Sequence, residues 1–224
     1  MGNLIDKFNK TCRVGFIVVK KMGYGLQYDV YDYGERVLKI PRSNLSKTLN
    51  LLKWSFVDPS YLFFRKIIRD MNVEKIKSIK GLIKRKVDIS LIGNPIFEKN
   101  KLWQDKVIPL KKIVHENPEI IFRKYSEFIV SLWKYGLQES VFNFGVNFGL
   151  DNSDRIVLID FGELSFDKEQ VIKSIVNKRW RKSHDFKYIL NKQEKILYDN
   201  IMCSTLTIKR LNREWEKLLK ESKK

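Results

Sequence analysis

The residues best placed to do chemistry lie in one stretch, Ile156 to Glu163, I-V-L-I-D-F-G-E. Four apolar residues in a row read as a buried strand, and an acid, an aromatic and a glycine follow directly. A carboxylate leaving the end of a buried strand beside a flexible glycine is well placed to hold a divalent cation. Asn147 lies thirteen residues upstream of Asp160, and a strand, a turn and a second strand between them would bring its amide beside that carboxylate. Hard oxygens at this spacing suit magnesium, which takes one or two protein oxygens and completes its shell with phosphate and water.

Lys39 is the next candidate, because it interrupts an apolar strand, V-L-K-I-P. If both faces of that strand are covered, its ammonium needs an anionic partner, and a nucleotide phosphate or a carboxylate would serve. On an edge strand it would instead turn to water. Gly23 and Gly25 open a turn whose freed backbone amides could cover a phosphate, although G-x-G is also common in hairpins.

The elements that must position these groups follow from pattern. Residues 14 to 42 read as an antiparallel meander: an apolar run from Val14 to Val19, a glycine turn from Met22 to Leu26, strands at Tyr28 to Tyr33 and Arg36 to Ile40, and a turn at Asp32 to Glu35. Helical spacing takes over after Ser43. Asp58-Pro59-Ser60 starts one helix and a second runs from Val73 to about Lys84, with Val73, Ile76, Ile79 and Ile83 on one face. Strand character returns from Ile89 to Leu110, with a hairpin tip at Glu98 to Lys101. Asn117-Pro118-Glu119 opens a helix with a capping amide, a first-turn proline and an acid at the positive end of the dipole. Its Phe122, Tyr125, Phe128, Ile129, Leu132 and Trp133 make a core face, and Gly136 ends it. Further helices are expected from Asp167 to about Arg181, near Phe186 to Ile201, and from Thr207 to Lys220.

Composition sets the class. At 224 residues the chain can bury one substantial core or two small lobes sharing one, and 43% hydrophobic content excludes a disordered chain. No apolar run is long enough for a membrane span, no apolar signal core stands at the N-terminus, and Asp6 breaks the myristoylation pattern. Cys12 and Cys203 are too few and too far apart for a disulfide framework, and two histidines argue against zinc, so a reducing cytoplasm is the expected compartment. The net charge of +18 would attract polyanions such as nucleic acid, an anionic membrane face or acidic proteins, unless it only reflects free use of lysine. Nine basic residues between Arg65 and Lys86 face only Asp70 and Glu74, and Lys178-Arg-Trp-Arg-Lys182 adds an aromatic to a second cluster able to grip phosphate and stack a base. Either cluster can equally be the solvated face or end of a helix.

Asp160-Phe161-Gly162, Asn147, Lys39 in V-L-K-I and Gly23-Tyr-Gly25, in this order and spacing, resemble the protein kinase-like superfamily over about residues 15 to 165. The resemblance implies an α+β, two-lobe fold: residues 1–110 as a small lobe with a five-strand antiparallel sheet plus helices, and 111–224 as a helical, truncated second lobe. It implies ATP and magnesium as cofactors, Asn147 and Asp160 as metal ligands, Lys39 on the phosphates, and the connector from Val107 to Leu110 on the adenine. Lys39 would pair with a helical glutamate, for which Glu74 is the candidate. The third glycine of the phosphate loop is replaced by Tyr28, and the catalytic aspartate expected five residues before Asn147 is replaced by Phe142. Glu139 or Asn143 would have to stand in for it. The short segment after Gly162 resembles compact small-molecule kinases more than protein kinases. The implied activity is therefore an ATP-dependent phosphotransferase with an atypical catalytic loop. The alternatives are an inactive pseudokinase or a basic scaffold binding nucleic acid or an acidic protein.

Overall fold

The computed structural model describes residues 20–24, 27–56, 62–99 and 101–221. The Val14 to Val19 run, Gly25, Cys12 and the Asp58-Pro59-Ser60 helix start lie outside the described residues.

Alternating side chains build an antiparallel meander from β1 (Lys20–Tyr24), β2 (Tyr28–Asp32) and β3 (Arg36–Pro41). Met22 and Gly23, expected in a turn, belong to β1 instead, where the pairing shifts register between Lys21 and Gly23. A glycine tolerates such a bulge without loss of packing. The next turn works through Gly34, at φ 85°, whose N–H donates to Asp32 Oδ1 at 2.9 Å. Hairpin β4 (Ile96–Glu98) and β5 (Lys101–Asp105) completes a five-stranded antiparallel sheet in the order β1-β2-β3-β5-β4. Directly opposed residues share a face. Val30, Lys39, Leu102 and Phe97 therefore stand on one side of the sheet.

Ile89–Ile92, expected as strand, is a 3-10 turn. Asp88 accepts the Ser90 N–H at 2.9 Å and Gly93, at φ 68°, closes it. The local side-chain bond outcompetes the β-propensity of the isoleucines.

Among the described residues, two α-helices sit between β3 and this turn: α1 (Asn44–Ser55) and α2 (Phe64–Lys84). The latter is a single helix of 21 residues, because Asp70-Met71-Asn72 contains nothing that breaks one. Its buried residues are Ile68, Ser78 and Leu82, whereas Val73, Ile76 and Ile83 are exposed. Of the expected face only Ile79 packs against the core, and the other three residues are turned to solvent. Docking decides this: Gly81 leaves room for the Phe166 ring, Ser78 Oγ donates to the Gly162 carbonyl at 3.3 Å, and the Arg85 guanidinium lies 4.6 Å from the Phe166 ring centre.

The helical part follows β6 (Ile108–Pro109). Helix α3 (Pro118–Trp133) buries Phe122, Tyr125, Ile129, Leu132 and Trp133 as expected of a core helix. Its Asn117 does not cap through its side chain, so Pro118 and Glu119 carry the start. Gly136, at φ 68°, provides the left-handed stop. After α3 come β7 (Gln138–Glu139), α4 (Phe144–Asn147), β8 (Phe148–Leu150), β9 (Ile156–Leu158) and β10 (Leu164–Ser165). Helices α5 (Lys168–Val176), α6 (His184–Tyr188), α7 (Lys192–Thr205) and α8 (Ile208–Glu221) close the chain. Helix α5 stops five residues earlier than expected, because Lys178 turns to φ 44° and a 3-10 turn takes over at Arg179–Lys182. The architecture is α+β, with an antiparallel sheet and eight α-helices among the described residues. No helix among them is long and apolar enough to cross a membrane.

Strand β8 runs close under the 107–110 connector. A Cβ on Gly149 would collide with Val107 Cγ2 and lie 2.8 Å from the Ile108 carbonyl oxygen. Gly149→Ala is therefore expected to cost about 1–3 kcal/mol through overpacking, lowering the melting temperature by a few degrees. An unchanged melting curve would show that the connector yields freely.

Candidate functional site

The β8–β9 hairpin, with Phe148 opposite Leu158, places Asn147 against Asp160. The Asn147 carbonyl accepts the N–H groups of Ile159 at 2.8 Å and Asp160 at 3.3 Å. Asp160 Oδ1 in turn accepts the Gly162 N–H at 3.2 Å.

Asp160 faces the sheet across a narrow cleft of about 10 Å³ lined by Gln27, Tyr28, Lys39, Lys75, Leu102 and Phe161. Lys39 Nζ donates to the Ile159 carbonyl at 2.6 Å, which ties β3 to the segment after β9. Burial pushes the Lys39 ammonium down to about 8, while the Asp160 carboxylate opposes that shift and Lys75 adds to it. The Tyr28 hydroxyl is pushed upward by burial and by the Asp160 charge.

Helix α2 contributes Lys75 to this cleft, not Glu74. Glu74 is exposed on α2 and does not line the cleft, so its expected pairing with Lys39 is not made. Lys75 lies one turn before Ser78, on the side of α2 that docks against Gly162, and its ammonium stands 4.4 Å from the Tyr28 ring centre. Burial lowers its pKa, with Lys47 of α1 adding to the effect and Asp160 opposing it. Lys47 is itself buried, with Nζ 3.5 Å from Asn72 Oδ1, and burial lowers its pKa too. Two ammonium groups, Lys39 and Lys75, thus couple to one carboxylate, Asp160, and the surplus positive charge suits an anion with several oxygens.

The loop before Asn147 is built differently from the expectation. Glu139 is fully buried, accepting the Phe142 N–H at 2.5 Å and the Asn147 amide at 2.9 Å. Burial raises its carboxyl to about 8, against the hydrogen bonds from Asn147 and Phe142. It holds the loop and faces no substrate-sized opening. Because its partner is the Asn147 amide nitrogen, the Asn147 side-chain oxygen is the atom left for a cation. Asn143 is likewise committed, its Oδ1 accepting the His184 N–H at 3.1 Å. Phe142 is buried at φ 57°, with its ring 6.0 Å from that of Trp180. A bulky residue held in that region stores strain, here in the loop that carries Asn147. Gly145 donates to the buried Asp185 at 2.5 Å and anchors the other side of the loop.

One acid went unassigned in the sequence reading. Glu163 stands three residues after Asp160, with its side chain exposed and outside the cleft lining; partial desolvation and the Asp160 charge raise its carboxyl pKa, and a side-chain hydrogen bond from Asn147 opposes the rise. Its place directly after Asp160-Phe161-Gly162 was the available signal.

Of the remaining candidates, Gly23 and Val107 are not among the described residues that line the cleft. Gly23 sits in β1, and Gly25 is outside the described residues. In the 107–110 connector Ile108 and Pro109 pair with β8 and Leu110 is buried. Trp180 is buried, with its indole N–H on Asp199 Oδ1 at 2.9 Å, and Arg181 binds the same carboxylate. The 178–182 cluster therefore has no aromatic face to offer a base. The clustered basic side chains on α2 include Lys66, Arg69, Lys77 and Lys80, all exposed.

No family model and no curated protein matches this chain. Among solved structures it is similar to the Rv3197–erythromycin complex from Mycobacterium tuberculosis, at 15% identity and a TM-score of 0.42 over 75% of this chain and 51% of that one. The chain spans about half the length of that neighbour, and a likeness this distant assigns no fold family.

Proposed function

We propose that this chain is a kinase-like protein that binds ATP with magnesium and acts as an ATP-dependent phosphotransferase. Residues 1–110 would be the sheet lobe and 111–224 the helical lobe, with the nucleotide between them. The observation that carries the reading is the convergence of Lys39, Lys75 and Asp160 in one cleft between the sheet and the segment after β9. Lys39 and Lys75 would hold the phosphates, Asp160 and the oxygen of Asn147 the magnesium, and the backbone at Val107 the adenine. Bound magnesium would neutralise charge on the phosphates. The base position is closed by Phe142, and Glu139 is consumed inside the loop. Glu163, whose pKa is raised beside Asp160, is then the group left to aim an acceptor hydroxyl.

The test is ADP release and phosphate transfer by the wild type and by Glu163→Gln. Turnover that is lost in the variant, while ATP still binds, supports the reading. Phe142, buried where the base would stand, favours a second reading, in which the chain binds nucleotide as a pseudokinase and transfers nothing. Binding without ADP release in the wild type would select it.

Lys39 sets the pH dependence. With its pKa lowered to about 8, it is charged below that value and neutral above it. A bound phosphate favours the charged form, so binding takes up a proton. ATP affinity is expected to fall as pH rises through about 8, and Lys39→Met should bind weakly with a flat profile. Equal pH dependence in wild type and variant, read by titration calorimetry, would place the phosphates elsewhere. In the unliganded protein the depressed value has the opposite sign: stability is present above 10.5 and lost as pH falls through about 8.

A further inference from the structure

The exposed side of α2 is neither a packed helix face nor an ordinary solvated one. Val73, Ile76 and Ile83 are 57%, 54% and 71% exposed. At about 100° per residue, Ile76, Ile83, Lys66, Arg69, Lys77 and Lys80 all fall within about 80° of Val73. Aliphatic and cationic side chains are thus interleaved on one surface, opposite the side that docks on Gly162 and Phe166. Of the helix's two acids, both exposed, Asp70 lies on this surface 3.5 Å from Arg69, and Glu74 lies about 100° from Val73. Phe63, immediately before α2, is 70% exposed, and Phe56, just after α1, is 91% exposed. Apolar side chains therefore also mark the ends of the two helices where they approach each other in sequence.

We infer that this face of α2 binds an anionic phospholipid surface, with the helix lying in the membrane plane. Charge complementarity fits any polyanion, and the exposed aliphatic side chains between the cations favour this one. Lysine and arginine meet lipid phosphates, while the aliphatic side chains between them enter the interface below the headgroups. A nucleic-acid backbone would use the cations, could stack a base on Phe63 or Phe56 at the helix ends, and would leave Val73, Ile76 and Ile83 in water. An acidic protein would leave the same residues equally unused unless it brought an apolar stripe of its own.

The experiment is co-sedimentation of the full chain with phosphatidylcholine vesicles and with vesicles containing about a third phosphatidylglycerol. The wild type is expected to sediment with the anionic vesicles only, and less so as salt is raised. A triple variant, Val73→Ser, Ile76→Ser and Ile83→Ser, changes only exposed side chains and should lose at least about tenfold in binding. Arg69→Glu with Lys80→Glu should do the same, and neither variant should alter ATP-dependent stabilisation. Failure of the wild type to bind anionic vesicles overturns the inference. Undiminished binding by the serine variant also overturns it, because cations alone would then explain adhesion. So does binding of single-stranded RNA that removes the protein from vesicles without any effect of the serine changes. Self-association that the serine variant abolishes would make this face an interface between copies of the chain, and would equally overturn it.

Discussion

Replacing Glu139 with alanine is expected to cost about 2–5 kcal/mol, because two buried donors, the Phe142 N–H and the Asn147 amide, lose their acceptor. The substitution Glu139→Gln separates charge from shape. In the wild type the carboxyl is pushed from 4.5 up to about 8 by burial, so the folded state binds a proton that the unfolded chain has already released. Stability from this group is fully present below 4.5 and is lost as pH rises through about 8, by on the order of 3–5 kcal/mol. Glutamine offers one acceptor oxygen in place of two and should be about 1 kcal/mol less stable than the wild type at pH 5. Having no charge to bury, it should lose nothing towards pH 9, where the order is expected to close or reverse. Denaturant unfolding of both proteins across that range decides the matter; parallel curves would show that Glu139 titrates normally.

Asp160→Asn is expected to exchange one ligand preference for another. With magnesium present, ATP affinity should fall by about a hundredfold or more, since the cation loses its only charged protein ligand. Without magnesium, ATP should bind the variant as well as the wild type or better, because Lys39 and Lys75 then face the phosphates with no carboxylate between them. Calorimetric titration in magnesium and in chelator reads both arms. Full magnesium-dependent binding by the variant would move the metal away from Asp160.

Much of this arrangement was legible in residue patterns. The hairpin that joins Asn147 to Asp160 follows from two short apolar strands around a polar turn, and α3 from its proline, its acid and its buried aromatics. Lys39 was marked by standing in an apolar strand, and the structure turns it into the cleft. What escaped was set by contacts between distant segments. Helical spacing cannot tell which side of α2 docks, since Val73, Ile76 and Ile83 look like a core stripe until Gly81 and Phe166 are brought together. Glu74 follows from the resemblance, which asks for a helical glutamate, whereas the docked side of α2 brings its neighbour Lys75 to the cleft. Glu139 and Trp180 were read as free to act because nothing local reveals that one binds the Phe142 N–H and the other Asp199.

The central claim is that the Lys39, Lys75 and Asp160 cleft holds ATP with magnesium. It is tested most directly by melting the wild-type chain alone, with magnesium, with ATP, and with both. At a hundred times the dissociation constant, ligand should add about 2.7 kcal/mol of stability, or roughly 5–10 °C for a chain of this size. A saturable rise is expected, largest when ATP and magnesium are present together. No rise at millimolar ATP with magnesium would contradict it.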